Sequence, residues 1–302
     1  MKEKIFKSNT VHLYGLITDV RFGQVPDKGL TGINLRVSTM GRPPKDGDKR
    51  VDNYHDVTMF TDDPKVIESY KAVEANLKAN AENKGVEGYK PKYDTVSLDG
   101  YIRNVTKRFA NSEDTYTGIE VRTNPENASL NVPKGEKEYR DVAQFKGNVG
   151  SVELHEDKNF ARISLANHFQ PKDAEGNAIG EPRVTWLNVT VSGNSRNPEV
   201  KAAYDAIVKG DIEKGKFVRV NGQLVNNSFE VEKGKIHDMT LSATGFTLLT
   251  KKEAEEKDQE VEVKVEPEVK AEEKKAAKKA TSKKAASKKT AAPKPKVSAP
   301  KL

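Results

Sequence analysis

One stretch of this sequence occurs twice, and the duplication constrains the fold more than any other feature. Residues 63–73 read Asp-Pro-Lys-Val-Ile-Glu-Ser-Tyr-Lys-Ala-Val, and residues 197–207 read Asn-Pro-Glu-Val-Lys-Ala-Ala-Tyr-Asp-Ala-Ile. Each begins with a residue that caps free helical amides, followed by a proline that fits the first helical position. Apolar residues then recur at helical spacing. The repeat therefore predicts an amphipathic helix in each of two copies of one domain.

Strand-like segments flank the first predicted helix. They are residues 11–17, 33–38 and 53–60 before the helix, and 95–102 and 116–121 after it. Several of them alternate apolar and polar side chains, which is typical of a half-buried strand. Gly15, inside the first segment, predicts a bulge or a sharp bend. Residues 107–114, between the last two segments, predict a basic and aromatic hairpin tip.

The second copy repeats this order. Its segments are residues 145–149, 161–166 and 183–193 before the helix, and 217–224 and 236–241 after it. Three strands, a helix and two strands match the oligonucleotide-binding (OB) barrel, whose second and third strands form the binding face. We therefore predict an all-β chain with one short helix per domain. Two tandem five-stranded OB-fold barrels would occupy residues 1–130 and 141–250, followed by a tail.

The tail, residues 251–302, carries almost all the excess positive charge. It holds 16 lysines and 10 acidic residues, a net charge of +6 out of +7, which leaves +1 for residues 1–250. All its acidic residues precede residue 274, and 11 lysines follow. This Lys/Ala/Pro-rich composition predicts disorder. Two interpretations stay open: a solubilising linker, or an arm that neutralises phosphates. The near-neutral body would need local cations, stacking or both to bind a polyanion.

Missing residue types exclude several kinds of site. Without cysteine the chain forms neither disulfides nor thiolate metal sites, and its five histidines lack ligand spacing. No phosphate-binding loop, zinc-protease or serine-hydrolase motif occurs, so we expect no enzyme and no cofactor. No apolar run approaches the roughly 20 residues that span a bilayer, and residues 1–7 lack the apolar core of a signal peptide. We expect a cytoplasmic protein without membrane contact.

Aromatic residues on two predicted strands point outward. In residues 183–193, alternation places Leu187, Val189 and Val191 on one face and the only tryptophan, Trp186, on the polar face. In residues 53–60 the same pattern turns Tyr54 and Phe60 outward. A large flat ring among polar neighbours suits a platform on which something flat stacks.

These two strands resemble a strand of the single-stranded DNA-binding proteins of bacteria and their phages. Residues 185–193, Thr-Trp-Leu-Asn-Val-Thr-Val-Ser-Gly, are similar to that family's Glu-Trp-His-x-Val-Val-x-Phe-Gly strand. Trp186 falls on the family's stacking tryptophan, whereas Ser192 replaces its phenylalanine. In the first copy Tyr54 takes the tryptophan position and Phe60 keeps the phenylalanine.

A later strand extends the resemblance. Residues 214–224, Lys-Gly-Lys-Phe-Val-Arg-Val-Asn-Gly-Gln-Leu, are similar to the family's Lys-Gly-x-x-Val-x-Val-x-Gly-x-Leu strand. Seven residues past Gly222, Phe229 lies where the family places another stacking aromatic, and Phe109 is a looser counterpart in the first copy. Phe169 ends a stretch similar to the family's second strand, where a further aromatic often lies.

The resemblance covers both predicted domains but not the tail. Most members carry one such domain and assemble four, and some bacterial members carry two and dimerise. The resemblance therefore implies a homo-oligomer, with a dimer favoured, that binds single-stranded DNA beside replication or recombination proteins. The family usually ends in an acidic tip that recruits partners, whereas residues 292–302 of this sequence read Ala-Pro-Lys-Pro-Lys-Val-Ser-Ala-Pro-Lys-Leu and contain no acidic residue. Phage members often lack or alter that tip, so a phage origin stays open.

We predict a protein that coats single-stranded DNA without strong sequence preference during replication, recombination or repair. The residues expected to stack on bases are Trp186, Tyr54, Phe60, Phe229, Phe109 and Phe169. The residues expected to contact phosphates are Arg36, Arg162, Lys107 and Arg108, with Arg36 and Arg162 at matched positions of the two copies. One alternative is a virion or nucleoid structural protein that binds nucleic acid through its basic tail. RNA binding is another, because stacking does not distinguish the sugars.

Overall fold

The computed structural model of the chain describes residues 8–25, 28–41, 52–109, 112–132, 140–170 and 181–249. Residues 42–50 and the predicted tail, residues 251–302, lie outside these ranges. The first set of elements is β1 (Asn9–Val25), β2 (Leu30–Thr39), β3 (Asn53–Thr61), α1 (Pro64–Glu82), β4 (Thr95–Arg108), β5 (Thr115–Arg122) and β6 (Ala128–Leu130). The second set is β7 (Arg140–His155), β8 (Phe160–Phe169), β9 (Arg183–Ser192), α2 (Pro198–Val208), β10 (Phe217–Val231) and β11 (Gly234–Leu249).

Each set closes into a five-stranded barrel with the same strand pairing. β1 pairs antiparallel with both β2 and β4, β2 with β3, and β4 with β5. A parallel contact between β3 and β5, at Val57 and Val121, closes the ring. In the second set β7, β8, β9, β11 and β10 repeat this circuit, and Val189 and Leu241 make the closing parallel contact. The predicted all-β fold with two tandem OB barrels is confirmed.

Both helices begin as their sequences predict. The Asp63 side chain accepts a hydrogen bond from the backbone N–H of Lys65 at 2.8 Å, and Asn197 accepts one from Glu199 at 2.8 Å. The buried faces include Tyr70 in α1 and Tyr204 in α2. Burial raises the pKa of Tyr70 to about 12. α1 runs for 19 residues and ends at Glu82, before Gly85, because no glycine or proline interrupts it earlier.

Gly15 is needed for a close approach rather than for a bulge. The bulge in β1 lies between Ile17 and Asp19, where the register with β2 shifts. A Cβ atom on Gly15 would collide with the Ser38 carbonyl oxygen, and one on Gly147 in β7 would lie 2.6 Å from the Ala166 carbonyl oxygen. The missing side chain therefore lets the neighbouring strand cross tightly at the matched point of each barrel.

A strand ladder joins the two barrels into one sheet. β1 and β7 pair antiparallel from Asn9 opposite Phe145 to Tyr14 opposite Arg140. Val11 and Ala143 face each other in this ladder, and each precedes the glycine of its own copy by four residues. A pseudo-twofold axis therefore passes between them. All described residues belong to one unit, Met1–Asp258, so independent domains at residues 1–130 and 141–250 stay a prediction.

A buried polar cluster ties the barrels together beside this ladder. Asp141 and His55 are fully buried and Thr39 is almost so. Asp141 accepts hydrogen bonds from the Thr39 hydroxyl at 2.8 Å and from the backbone N–H of Leu224 at 2.7 Å. The Thr39 oxygen lies 2.8 Å from His55 Nε2, which is 3.4 Å from Asp141. One carboxylate thus connects β2 and β3 of the first barrel to β7 and β10 of the second.

Candidate nucleic-acid interface

Trp186 stands on the outer face of β9, as the alternation predicts. The residues Leu187, Val189 and Val191 are buried, whereas the Trp186 side chain is 48% exposed. Its ring lies across Gly150 of β7, where a Cβ atom would come within 2.5 Å of the indole Cζ3. Because Gly150 has no side chain, one part of the indole lies directly on the backbone of β7. The other part of the ring stays open to a flat ligand.

We expect Gly150→Ala to displace the indole. A methyl group at this position overlaps the ring, so Trp186 must leave its support. The stacking on a base that the sequence predicts for Trp186, roughly 1–3 kcal/mol, should then be partly lost. The emission spectrum of the single tryptophan and its quenching by a thymidine oligomer measure both effects. Gly23→Ala in β1 is the matched control, because a Cβ atom there meets nothing within 4 Å. Equal behaviour of the two variants contradicts the prediction.

Tyr54 and Phe60 stand on the outer face of β3, at 46% and 36% exposure. Phe60 packs over Gly32 of β2, where a Cβ atom would lie 3.1 Å from the ring. The Arg122 guanidinium carbon lies 4.1 Å from the centre of the Phe60 ring, which is a cation–π contact. Arg122 therefore covers part of Phe60, and Tyr54 is the more open platform of the first barrel.

Two further aromatics lie in the second barrel. Phe229, on β10, is 46% exposed and faces Ile236 of β11 in the hairpin register. Phe169 ends β8, opposite Arg183 of β9, and is half-buried. Phe229 therefore offers an open ring, and Phe169 offers a smaller exposed part.

The structure corrects the expectation for Phe109. This side chain is only 6% exposed. Its ring lies 4.9 Å from the Tyr116 ring, and Cδ1 lies 3.3 Å from the Cβ position of Gly234 in the second barrel. Phe109 therefore packs between the β4–β5 hairpin and the β10–β11 hairpin, where no base can stack on it.

Arg36 and Lys107, two residues predicted to contact phosphates, both bind the Asp56 carboxylate. Asp56 accepts hydrogen bonds from Arg36 Nε and Nη2, both at 3.2 Å, and from Lys107 Nζ at 2.7 Å. Burial alone would raise the pKa of Asp56, but Lys107 and Arg36 outweigh it and hold the pKa below its ordinary value. Lys107 Nζ also donates to the Ile119 carbonyl at 3.0 Å. Arg36 stays exposed at 48%, whereas Lys107 is 20% exposed and bonded within the protein.

Arg36 and Arg162 do not occupy matched positions. Arg36 faces Asp56, two residues after Tyr54, whereas Arg162 faces Thr190, four residues after Trp186. The shift arises because strand register, which the sequence does not show, decides which residues lie opposite each other. Arg162 lies 3.9 Å from a Glu153 carboxylate oxygen and is 39% exposed.

The β10–β11 hairpin brings titratable groups of the second barrel towards the cations of the first. Burial lowers the pKa of His237, and the positive charges of Lys235, Arg36 and Lys107 lower it further. Neighbouring Asp238 shows the opposite direction, because burial raises the pKa of its carboxyl group. His237 is therefore mostly neutral at pH 7, and the cationic character of this region rests on arginine and lysine.

Arg108 is the remaining predicted cation. It ends β4 opposite Thr115 and is exposed. Sequence reasoning missed Asn104 and Asn226, whose side chains each bind the backbone of an aromatic residue in the other barrel. A signal was present, because Gly100-Tyr-Ile-Arg-Asn104 and Gly222-Gln-Leu-Val-Asn226 place glycine and asparagine at the same spacing.

The described residues contain no group of three or more histidine, aspartate or glutamate side chains that could hold a metal ion. Among the same residues no helix is long and apolar enough to cross a membrane.

Comparisons with known proteins find similarity in structure only. No protein-family model and no curated protein sequence matches the chain. The wild-type single-stranded DNA-binding protein from Thermus aquaticus matches with a TM-score of 0.47 and 16% identity, over 80% of this chain and 93% of that one. The small single-stranded DNA-binding protein from Streptomyces coelicolor matches with a TM-score of 0.27 and 18% identity, over 36% and 93%.

A Plasmodium falciparum single-stranded DNA-binding protein, solved in complex with single-stranded DNA, matches with a TM-score of 0.27 and 19% identity. The match covers 38% of this chain and 97% of that one. These three solved structures are single-stranded DNA-binding proteins, the family that the sequence resembles. The strand pairing of this chain itself makes it a tandem OB-fold protein.

Proposed function

We propose that this protein coats single-stranded DNA without strong sequence preference, during replication, recombination or repair. The observation that carries the proposal is a set of open aromatic rings on matched strand faces of two OB barrels. Tyr54 and Trp186 occupy the same position of β3 and β9 and are about equally exposed, at 46% and 48%. Phe60 and Phe229 extend the aromatic surface on the first and the second barrel.

Stacking explains how a nearly neutral body can bind a polyanion. Residues 1–250 carry a net charge of only +1, so bulk charge contributes little attraction. Each base presents a flat face, and stacking on an aromatic side chain contributes about 1–3 kcal/mol whatever the base. Exposed Arg36, Arg108 and Arg162 would supply local contacts to phosphates. Neither stacking nor ion pairing needs a cofactor or a catalytic residue, so the proposal is a binding protein and not an enzyme.

The direct test is quenching of Trp186 fluorescence. Trp186 is the only tryptophan, so quenching by thymidine oligomers of graded length reports binding at one defined position. We expect tight binding to single strands and at least tenfold weaker binding to duplex DNA of equal length. Equal affinity for duplex would instead support a virion or nucleoid structural protein, and tighter binding of RNA oligomers would reassign the ligand. We also propose a homo-oligomer, with a dimer favoured, and light scattering of the free protein tests this oligomeric state.

The basic end of the tail carries a second prediction. Removal of residues 274–302 deletes 11 lysines and no acidic residue. We expect the slope of log affinity against log salt to flatten by about 0.7 for each phosphate that these lysines neutralise. The matched control removes residues 251–273, which hold 5 lysines and 10 acidic residues, and should not weaken binding. An unchanged slope after the first deletion would contradict the phosphate-neutralising arm and support the interpretation of the tail as a solubilising linker.

A further inference from the structure

The strand that carries Trp186 has an open edge at that residue. β8 pairs with β9 on one side, where Ala166 faces Trp186. On the other side, the parallel contact with β11 covers only Asn188–Thr190. Within the described residues no strand continues that contact to Trp186, so its backbone needs another partner.

Asn104 of the first barrel supplies this partner. Its Nδ2 donates to the Trp186 carbonyl at 3.0 Å, and its Oδ1 accepts from the Trp186 N–H at 2.5 Å. The carboxamide thus satisfies both backbone groups of one residue, as a neighbouring strand would. An aspartate could accept the N–H but could not donate to the carbonyl, so this contact requires an amide side chain.

The first barrel shows the same arrangement with the roles exchanged. The parallel contact between β3 and β5 covers Val57 and Thr58 only. Asn226 of the second barrel accepts from the Tyr54 N–H at 2.5 Å and donates to the Tyr54 carbonyl at 3.1 Å. The Asn226 N–H also donates to the Asn53 side chain at 3.3 Å. Two matched asparagines therefore bind the two matched aromatic positions, each across the barrel boundary.

We propose that Asn104 and Asn226 are reciprocal positioning residues, each fixing the aromatic platform of the opposite barrel. The inference rests on the proposed function, because it assigns these platforms to base stacking. Each asparagine lies on a hairpin strand, β4 or β10, that extends from its own barrel. A single strand of DNA that moves either hairpin therefore changes the platform of the other barrel, so the two barrels bind DNA as one coupled surface.

The test uses the full chain and its single tryptophan. Asn104→Ala should change the emission maximum and anisotropy of Trp186 and weaken binding of a thymidine oligomer about tenfold, since it removes two hydrogen bonds. Asn226→Ala should weaken binding by a similar factor through Tyr54 and leave the free-protein tryptophan spectrum unchanged. Asn227→Ala is the matched control, because Asn227 is the next residue of β10 and bonds to Thr240 within its own hairpin.

One further variant, Asn104→Asp, separates positioning from folding. Asn104→Asp keeps the acceptor for the Trp186 N–H, so it replaces Asn104→Ala if urea unfolding shows that the alanine variant is not folded. The same spectral change is expected from it. Loss of affinity with an unchanged Trp186 spectrum in a folded Asn104 variant would overturn the positioning role. If the wild-type protein binds no single-stranded oligomer, the proposed function fails and the positioning role fails with it. If the wild-type protein binds the oligomer and the Asn104 variants bind it with the same affinity and the same Trp186 spectrum, only the positioning role fails.

Discussion

The double variant Trp186→Ala/Tyr54→Ala is expected to bind a thymidine oligomer about 100-fold more weakly than the wild-type protein. Each ring contributes about 1–3 kcal/mol when a base stacks on it, and each 1.4 kcal/mol changes the affinity tenfold. Both rings are nearly half exposed, so their removal leaves little cavity in the core. The folded structure should therefore survive, and the loss should fall on binding.

Fluorescence anisotropy of a labelled oligomer measures this loss, because the variant lacks its tryptophan. Tyr93→Ala is the matched control: Tyr93 is 56% exposed but lies in the connection between α1 and β4 and not on β3 or β9. We expect this control to bind like the wild type. A folded double variant that holds the oligomer as tightly as the wild type would refute binding by stacking on these residues.

The second large effect is expected in stability. Asp141→Ala should lower the free energy of unfolding by about 3–5 kcal/mol, because it leaves buried polar groups without their acceptor. The Thr39 hydroxyl and the Leu224 N–H both lose a hydrogen bond inside the protein. His55 Nε2, 3.4 Å from an Asp141 carboxyl oxygen, loses this polar neighbour. Because these groups belong to both barrels, the loss should appear in the unfolding of the whole sheet.

Urea unfolding followed by circular dichroism measures the change. Asp114→Ala is the control, since the Asp114 side chain also reaches the other barrel, 3.3 Å from Lys233 Nζ, but is 51% exposed. A solvent-exposed ion pair contributes about 0–1 kcal/mol. If the two variants lose the same stability, the buried cluster is not what holds the barrels together.

The first barrel shows why Asp141 could not be singled out from the sequence. Asn9 takes the corresponding place in β1 and binds both the N–H and the carbonyl of Ile102, at 2.9 and 2.8 Å. The second copy has a carboxylate instead, and its extra oxygen binds Thr39, which lies 102 residues away in sequence. No local pattern links these positions, so only the fold brings them together.

Local sequence patterns were sufficient to predict the features that depend on one helix or one strand alone. The two helix caps follow from an Asp-Pro and an Asn-Pro pair, because capping depends on the first turn alone. The outward direction of Trp186, Tyr54 and Phe60 follows from alternation along one strand. Repetition of these patterns was enough to predict two barrels of one kind. The predicted contacts of these side chains with DNA remain part of the proposal.

Tertiary structure decided which residues of different strands contact each other. Phe109 and Lys107 lie on a hairpin whose sequence is basic and aromatic, yet neither side chain is free. Phe109 is buried against the second barrel, and Lys107 pairs with Asp56 of β3 in its own barrel. The roles of Asn104 and Asn226 have the same origin, because each binds a backbone more than 80 residues away. The sequence by itself determined which face of each strand is apolar, since that depends on neighbours along the chain. Tertiary structure decided which outward residues stay open to a ligand. The two barrels meet across a twofold-like axis, and this contact, which only the assembled sheet fixes, covers some outward residues and leaves others exposed.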